Sequence, residues 1–475
     1  MKVVLVNPPS PPEFRVSRGL MGGFGMAVNP GLLYPPIELA HVASVLEAAG
    51  HEVVIHDSDA RGLDSAGALD AIAQEQPGLV CVDSSSTSLD RDLALCRAVR
   101  AKTGAPVAIL GSQVTFTPGD IFAGDNVDVV VRGEPEFTVR EIAERVAAKQ
   151  SLEGVEGTSW RKQDGEIVHE PEREKIGALD DLPLPARHLL DNHAYHFPGV
   201  EGAITTVKSS RGCPLDCSFC GYTLAQGLRF RFRSPEHVVR ELVDLHRNHG
   251  LRHVVFRDPI FTTRKDRIHA ICDGILAEKL DLEWQCETAV KTLDRAVIEK
   301  MAKAGCKHIS LGVESGNAEI QKKHCGSKLL DPKTKELDFA RCDEVFDACR
   351  ANGVETRAFC MIGFPEETPA MVEETFRLVE RCDPDQVQFC AVTAYPGTPL
   401  FKMLHGTREF DYATMTGFQA LEGNEHMTKE AIEAKIREGY RRFYRRPKRI
   451  VREMRSPVRF MGKVARYFTL FAKRA

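Results

Sequence analysis

The chain has 475 residues, 43% of them hydrophobic and 27% charged, with a formal net charge of −4. That length allows two or three domains with sizeable cores, and the near-neutral balance excludes a polyanion binder held by overall attraction alone. No run reaches the ~18 apolar residues of a transmembrane helix, and the start MKVVLVNPP reads as a strand, not a secretory signal; the expected compartment is the cytoplasm, where the 14 cysteines serve as free thiols or metal ligands.

In chain order, KVVLV is a strand centred on 3–6, followed by a long loop rich in Gly and Pro. A helix starts after Pro36 and ends at Gly50, with a strand at 52–56. A helix near 65–75, the strand GLVCVD, a helix at 88–102, the strands PVAIL and VDVVV and a helix at about 135–148 complete the series. Short β-branched runs between amphipathic helices predict a parallel sheet covered on both faces. Five such units make residues 1–148 a doubly wound, flavodoxin-like α/β domain whose ligand sits outside the carboxyl ends of the strands. It has neither G-x-G-x-x-G after the first strand nor G-x4-G-K-S/T, which argues against dinucleotide and P-loop binding. Residues 149–201 read as a linker, with a small hairpin turning at Asp164–Gly165 and the proline-stiffened connector LDDLPLPARHLL.

Alternation resumes over 202–400. Strands are expected at 203–208, 252–256, 283–287, 308–312, 356–361 and 386–391, and helices near 236–249, 266–279, 294–304, 338–352 and 369–382. Six βα units suit a partial barrel, open on one side, with function at the C-terminal strand ends. HCGSKLLDPKTKELD, 324–338, interrupts the fourth unit and is expected to be a surface loop. Residues 401–475 become basic and helical, with 15 Lys and Arg against 2 Glu from Lys435 onward. Three readings fit this tail: a solvated face packed on the barrel, peripheral contact with an anionic membrane, or a grip on RNA. The last is disfavoured because no aromatic-rich binding module accompanies the charge.

SSRGCPLDCSFCGY, 209–222, holds Cys213, Cys217 and Cys220 in a C-x3-C-x2-C spacing. A structural zinc site takes four protein ligands, and no fourth Cys or His lies close by in the sequence. A 4Fe–4S cluster usually takes four thiolates, so three leave one iron open to a small chelating molecule. A redox or zinc loop is the alternative. Gly212 permits a tight approach of the chain and Pro214 stiffens the turn.

This spacing, with Phe219 before the last cysteine, resembles the radical S-adenosylmethionine superfamily. VVFRDPIF, EWQCET, ISLGVESG, MIGFPEET and AYPGTPLF resemble its later strands across 202–400. The resemblance implies that S-adenosylmethionine binds the open iron and is cleaved to a 5′-deoxyadenosyl radical. It places Glu314 and Ser315 near the ribose or methionine part, Asp258 near the methionine amine, and Gly363 and Pro365 against adenine. Two departures stand out: Asp258–Pro259 where the pattern often has two acids, and Glu366 where many relatives have glycine.

VNPP, PGLLYPPIELAHVASVLEAAGHEVVIHD, ILGSQVTFTP and VVRGEPEFTVREI resemble the cobalamin-binding domain that precedes many such enzymes. The strand-end candidates for a corrinoid are Asn7, Ser84, Ser85, Thr87, Gly111, Ser112, Thr115 and Glu134. No D-x-H-x-x-G run supplies a lower-axial histidine, so cobalt is expected to lack one. Together the resemblances imply a cobalamin-dependent methyltransferase acting on an unactivated carbon or phosphorus. The alternative is non-methylating chemistry, such as the ring formation of the anaerobic magnesium-protoporphyrin ester cyclases, with a corrinoid or vestigial first domain. Expected partners are a small-molecule substrate (a lipid, tetrapyrrole or natural-product intermediate), an electron donor such as flavodoxin or ferredoxin, and a membrane surface for the basic tail. The other cysteines read as buried packing thiols. Only Cys81 and Cys96 occupy the first domain, too few for the second cluster of a methylthiotransferase.

Overall fold

In Lys2–Asn7 (β1), Val3 and Leu5 enter one apolar layer while Val4 and Val6 enter another. A strand buried on both faces has no polar alternation, which is why it reads as an unbroken apolar run. This computed structural model describes residues 1–449 except 123, 125, 406–413, 416–418 and 448. The same two layers cover Glu52–Asp57 (β2), Leu79–Asp83 (β3), Val107–Leu110 (β4) and Val129–Val131 (β5). These five strands run parallel in the order β2-β1-β3-β4-β5, the flavodoxin-like arrangement. The crossover helices are Ile37–Ala48 (α1), Ser65–Gln74 (α2) and Leu89–Thr103 (α3), and Pro135–Ala147 (α4) follows β5. The hairpin expected in the linker, Thr158–Arg161 (β6) and Ile167–His169 (β7), is instead the outer edge of this sheet: β6 pairs antiparallel with β5.

The second sheet has six parallel strands in sequence order: Ile204–Val207 (β8), His253–Phe256 (β9), Glu283–Thr288 (β10), Cys306–Glu314 (β11), Glu355–Ile362 (β12) and Gln386–Ala391 (β13). Val207 stands opposite Phe256, and Phe256 opposite Cys286. Because β8 and β13 do not pair, the barrel stays open. Along β12, Ala358, Cys360 and Ile362 join the core under the helices, while Arg357, Phe359 and Met361 are half-buried on the concave side. The outer helices are Pro235–Arg247 (α5), Lys265–Ala277 (α6), Arg295–Lys303 (α7), Phe339–Ala351 (α9) and Pro369–Cys382 (α10); a short helix missing from the sequence reading, Ala318–His324 (α8), follows β11.

The loop expected on the surface, 324–338, is folded inward over its first half. Cys325 and Leu329 are fully buried and Leu330 nearly so. Three apolar side chains within six residues gain more by burial than their polar neighbours lose by staying at the rim.

Lys429–Tyr444 (α11) covers the open edge strand β13. The Phe389 N–H donates to the Tyr440 hydroxyl at 3.1 Å. Gly439 is needed there, because a Cβ would press on the Phe376 and Phe389 rings. Arg442 pairs with Glu373 at 2.6 Å and Glu380 at 2.5 Å, and Arg446 with Asp383 at 2.7 Å. These cations of the basic region are thus held by α10 and the turn after it. The rest of the tail, from 450 on, lies outside the described residues. Among those described, no helix is long and apolar enough to cross a membrane.

The linker is fastened by a buried triad. Arg187 and Arg233 each lie 2.5 Å from one oxygen of Glu241, and all three side chains are nearly inaccessible. Burial alone would push the Glu241 carboxyl up, but the two guanidiniums hold it at about 2, below the ordinary 4.5. A depressed carboxylate contributes stability that is complete above about pH 5 and vanishes as pH falls towards 2; the shift corresponds to about 3 kcal/mol. Melting temperature followed from pH 7 to pH 3 should therefore fall, and Glu241→Gln should flatten that slope while lowering stability at pH 7.

Candidate functional site

The cysteine loop leaves the barrel after β8. The antiparallel pair Ser210–Arg211 and Arg231–Phe232 pinches its base. Gly212 has φ +84°, and a Cβ there would overlap the Arg229 carbonyl, so only glycine lets the loop turn back on itself. Cys213 N–H donates to the Gly227 carbonyl at 3.0 Å, and Cys220 N–H to the Cys217 carbonyl at 3.1 Å. Cys213 and Cys217 are buried and Cys220 half-buried. Burial pushes all three thiols up, Cys217 to about 11, while Lys328 pulls each of them down.

Lys328 belongs to the inward-folded loop. Its Nζ donates to Glu314 Oε1 at 2.6 Å and lies 5.6 Å from the Phe219 ring centroid. Glu314 ends β11 with φ +62°, at a register shift against β12. The turn at Gly326 lies directly over Cys217, a Cβ there standing 3.3 Å from its Sγ. The fold also brings in Cys325, fully buried in the same apolar cluster as Cys217 and Phe219, its thiol raised well above the ordinary 9.0 by burial. The sequence has no such neighbour within the motif; the contact crosses about a hundred residues. Among the described residues, no three His, Cys, Asp or Glu side chains converge as ligands of a single ion. A mononuclear zinc site needs sulfurs ~2.3 Å from one centre. Three sulfurs on one loop beneath a lysine fit the donor set of a polynuclear iron–sulfur cluster, whose own width separates its ligands.

Other expected residues divide. Gly363, φ +106°, and Pro365 line a cavity of about 360 Å3 with Val392, Ala394 and His405. Phe364 between them packs on Phe219, centroids 5.9 Å apart. Asp258, by contrast, is fully buried and engaged within the chain. It accepts from the Ser209 N–H and from both the Ser209 and Ser210 hydroxyls, bracing the root of the cysteine loop. Ser315 is fully buried and accepts from Asn317 N–H at 3.2 Å, a turn contact.

In the first domain, Asn7, Ser84, Ser85, Thr87, Gly111, Ser112 and Thr115 do gather at the carboxyl ends of β1, β3 and β4. Their polar atoms are engaged within the chain. Asn7 lies between Asp57 and Arg18, Ser84 donates to Asp92 at 2.9 Å, and Ser85 meets Ser88 at 2.8 Å. Ser112 donates to the Gly22 carbonyl at 2.5 Å, and Thr115 to the Gly111 carbonyl at 3.2 Å. The glycine-rich stretch 18–25 lies across this rim. A cavity of about 570 Å3, open to solvent, continues from Asn7 and Asp83 to Thr206, Lys208 and Arg257 of the barrel. The rim's amide and hydroxyl groups are of the donor and acceptor types that the amides of a corrinoid would meet. Asp83 escaped the sequence reading. Burial lifts its carboxyl to about 8 against the pull of Arg18.

Glu134 faces neither cavity. It accepts from Ile176 N–H at 2.7 Å and pairs with Arg231 at 2.8 Å and Arg211 at 3.3 Å, while Glu136 also pairs with Arg211. The first domain therefore grips both strands at the base of the cysteine loop. Phe24, fully buried, adds a second bridge, stacking on Phe116 (5.7 Å, 7°) and packing on Tyr395 at 5.6 Å.

Comparison with known proteins agrees with this geometry. The Radical SAM superfamily profile matches residues 207–379, and the B12 binding domain profile matches 25–143. An uncharacterized methyltransferase of Pyrococcus horikoshii is 30% identical over 459 residues, covering 96% of this chain and 95% of that protein. The anaerobic magnesium-protoporphyrin IX monomethyl ester cyclase of Rubrivivax gelatinosus is 25% identical over 435 residues, 89% of this chain and 75% of the cyclase. Among solved structures, the radical S-adenosylmethionine methyltransferase TsrM from Kitasatospora setae, with cobalamin and a 4Fe–4S cluster bound, superposes with TM-score 0.67 at 21% identity, over 84% of this chain and 73% of that one.

Proposed function

The chain belongs to the radical S-adenosylmethionine superfamily, with a B12-binding domain ahead of the radical domain, and on that premise we propose that it is a cobalamin-dependent methyltransferase acting on an unactivated carbon, or phosphorus, of a small-molecule substrate. One observation carries the reading: the carboxyl ends of both sheets open towards one interdomain space lined by Asn7, Asp83, Lys208 and Arg257, and Phe24 of the first domain packs in one cluster with Cys217 and Phe219 of the cysteine loop. When bound, the cluster with S-adenosylmethionine supplies a radical able to take hydrogen from an unactivated position, and the corrinoid supplies the methyl group.

The chain's own residues do the rest. Cys213, Cys217 and Cys220 would hold the cluster, and Lys328 would offset the cost of burying their negative charge. Glu314 and Lys328 present an anion and a cation to the amine, carboxylate or ribose of the cofactor, and the Gly363–Pro365 turn lets its flat base approach the backbone. Phe24, Phe219, Phe364 and Tyr395 keep water from the reacting centre. The rim from Asn7 to Thr115 would hold the corrinoid. A flavodoxin or ferredoxin supplies the electron.

Ring formation is the second reading, favoured by the similarity to the Rubrivivax cyclase. One experiment separates the two. Protein purified anaerobically is reduced and given S-adenosylmethionine labelled at its methyl, together with a metabolite extract from cells lacking the gene. Stoichiometric cobalamin and label in a new product support methyl transfer. An unlabelled product with two fewer hydrogens supports cyclisation and overturns the first reading.

A further inference from the structure

A hydrogen-bonded series crosses the site beside the cysteines. Ser218, between Cys217 and Cys220, meets His324 Nδ1 through its hydroxyl at 2.7 Å. The other ring nitrogen of His324 lies 2.9 Å from Glu366 Oε2. His324 is fully buried, and its ring stacks on Phe364, centroids 5.1 Å apart and planes 24° apart. The backbone repeats the tie: Ser218 N–H donates to the His324 carbonyl at 3.0 Å, and Leu400 N–H to the Ser218 carbonyl at 2.9 Å. Glu366 also pairs with Lys323, which fixes its carboxylate beside the histidine.

We propose that Ser218, His324 and Glu366 form a positioning relay that locks the middle of the cysteine loop to the Gly363–Glu367 turn, so that the two walls gripping S-adenosylmethionine are set in register before it binds. The proposal rests on the cofactor assignment made above. With the ring neutral, a Glu366 carboxylate accepts from Nε2–H, leaving Nδ1 to accept from the Ser218 hydroxyl. Each bond fixes the next, and the serine cannot rotate without breaking the histidine's contact. A buried imidazole with both nitrogens engaged and one face stacked has one orientation, which is what a spacer between two loops requires. These residues touch no reacting atom; they act through the loops they join, as outer-shell groups do around metal sites.

The test uses the reconstituted full chain and two variants. Glu366→Gln alters a partly exposed side chain and does not endanger folding; His324→Asn keeps a group near Nδ1 and drops the link to Glu366. S-adenosylmethionine is titrated against the electron paramagnetic resonance signal of the reduced cluster. Both variants are expected to retain wild-type iron content but bind about 10-fold more weakly, in the range of outer-shell losses, with an altered spectrum of the bound state. Glu366→Asp should restore part of the affinity. A merely structural role would lower melting temperature and leave spectrum and affinity alone. Wild-type affinity and spectrum in both variants overturn the relay. If the wild-type signal itself does not respond to S-adenosylmethionine, the relay falls together with the cofactor assignment.

Discussion

Cys217→Ala should yield a chain that folds and holds cobalamin but assembles no intact cluster and forms no 5′-deoxyadenosine from S-adenosylmethionine. Cys217 is buried: the Gly326 turn lies over its sulfur, and burial pushes its thiol to about 11. Such a group becomes a thiolate only when metal replaces the proton, so its contribution is made entirely on cluster assembly. Removing it leaves an iron without a protein anchor, and the loss should exceed the ~10–100-fold typical of an outer-shell partner. Cys325→Ala is the matched control. That thiol is equally buried and close by, and it should be dispensable, because a fourth protein sulfur would close the iron corner the chemistry needs. Iron content and 5′-deoxyadenosine, measured in both variants, decide the point; loss of the cluster in Cys325→Ala would contradict the assignment of three ligands.

Arg211→Ala should be the most destabilising single change at the domain boundary. Arg211 is nearly inaccessible and lies between Glu134 and Glu136, both also buried. Its removal leaves Glu136 charged with no partner in a medium that solvates it poorly, and breaking a buried pair from one side typically costs ~3–5 kcal/mol. For domains of this size that is a fall in melting temperature of about 10 °C. Arg211 also pairs with Arg231 across the two short strands at the pinched base of the cysteine loop, so cluster retention should fall with it. The double change Arg211→Met, Glu136→Leu should recover most of the melting temperature, because the penalty comes from the stranded charge. A single variant as stable as the wild type would show that the domain contact does not depend on this pair.

The sequence displays what is local and periodic. The apolar runs of β1, β3 and β4, the helices between them and the cysteine spacing are all visible along the chain, because each depends on neighbours within a few residues. The parts that escaped depend on distant partners. Glu134 looks like a polar strand-end residue until the fold brings Arg211 and Arg231 against it, the latter 97 residues on. Asp258 has the right place for a cofactor contact, yet Ser209 and Ser210, nearly fifty residues earlier, take its oxygens. The segment 324–338 is rich in Lys and Asp and reads as surface. The residues of it that fold inward, His324, Cys325 and Lys328, are marked by no period. Asp83 escaped for another reason: its unusual proton affinity comes from burial, which composition does not reveal.

The most direct test of the central claim is the electron paramagnetic resonance spectrum of the anaerobically reconstituted, reduced chain before and after S-adenosylmethionine is added. An iron held open by only three cysteine ligands predicts a cluster signal whose g-values shift on addition, and a signal lost in Cys213→Ala, Cys217→Ala and Cys220→Ala alike. A signal that stays unchanged at saturating S-adenosylmethionine, or a chain that binds only zinc, would contradict it.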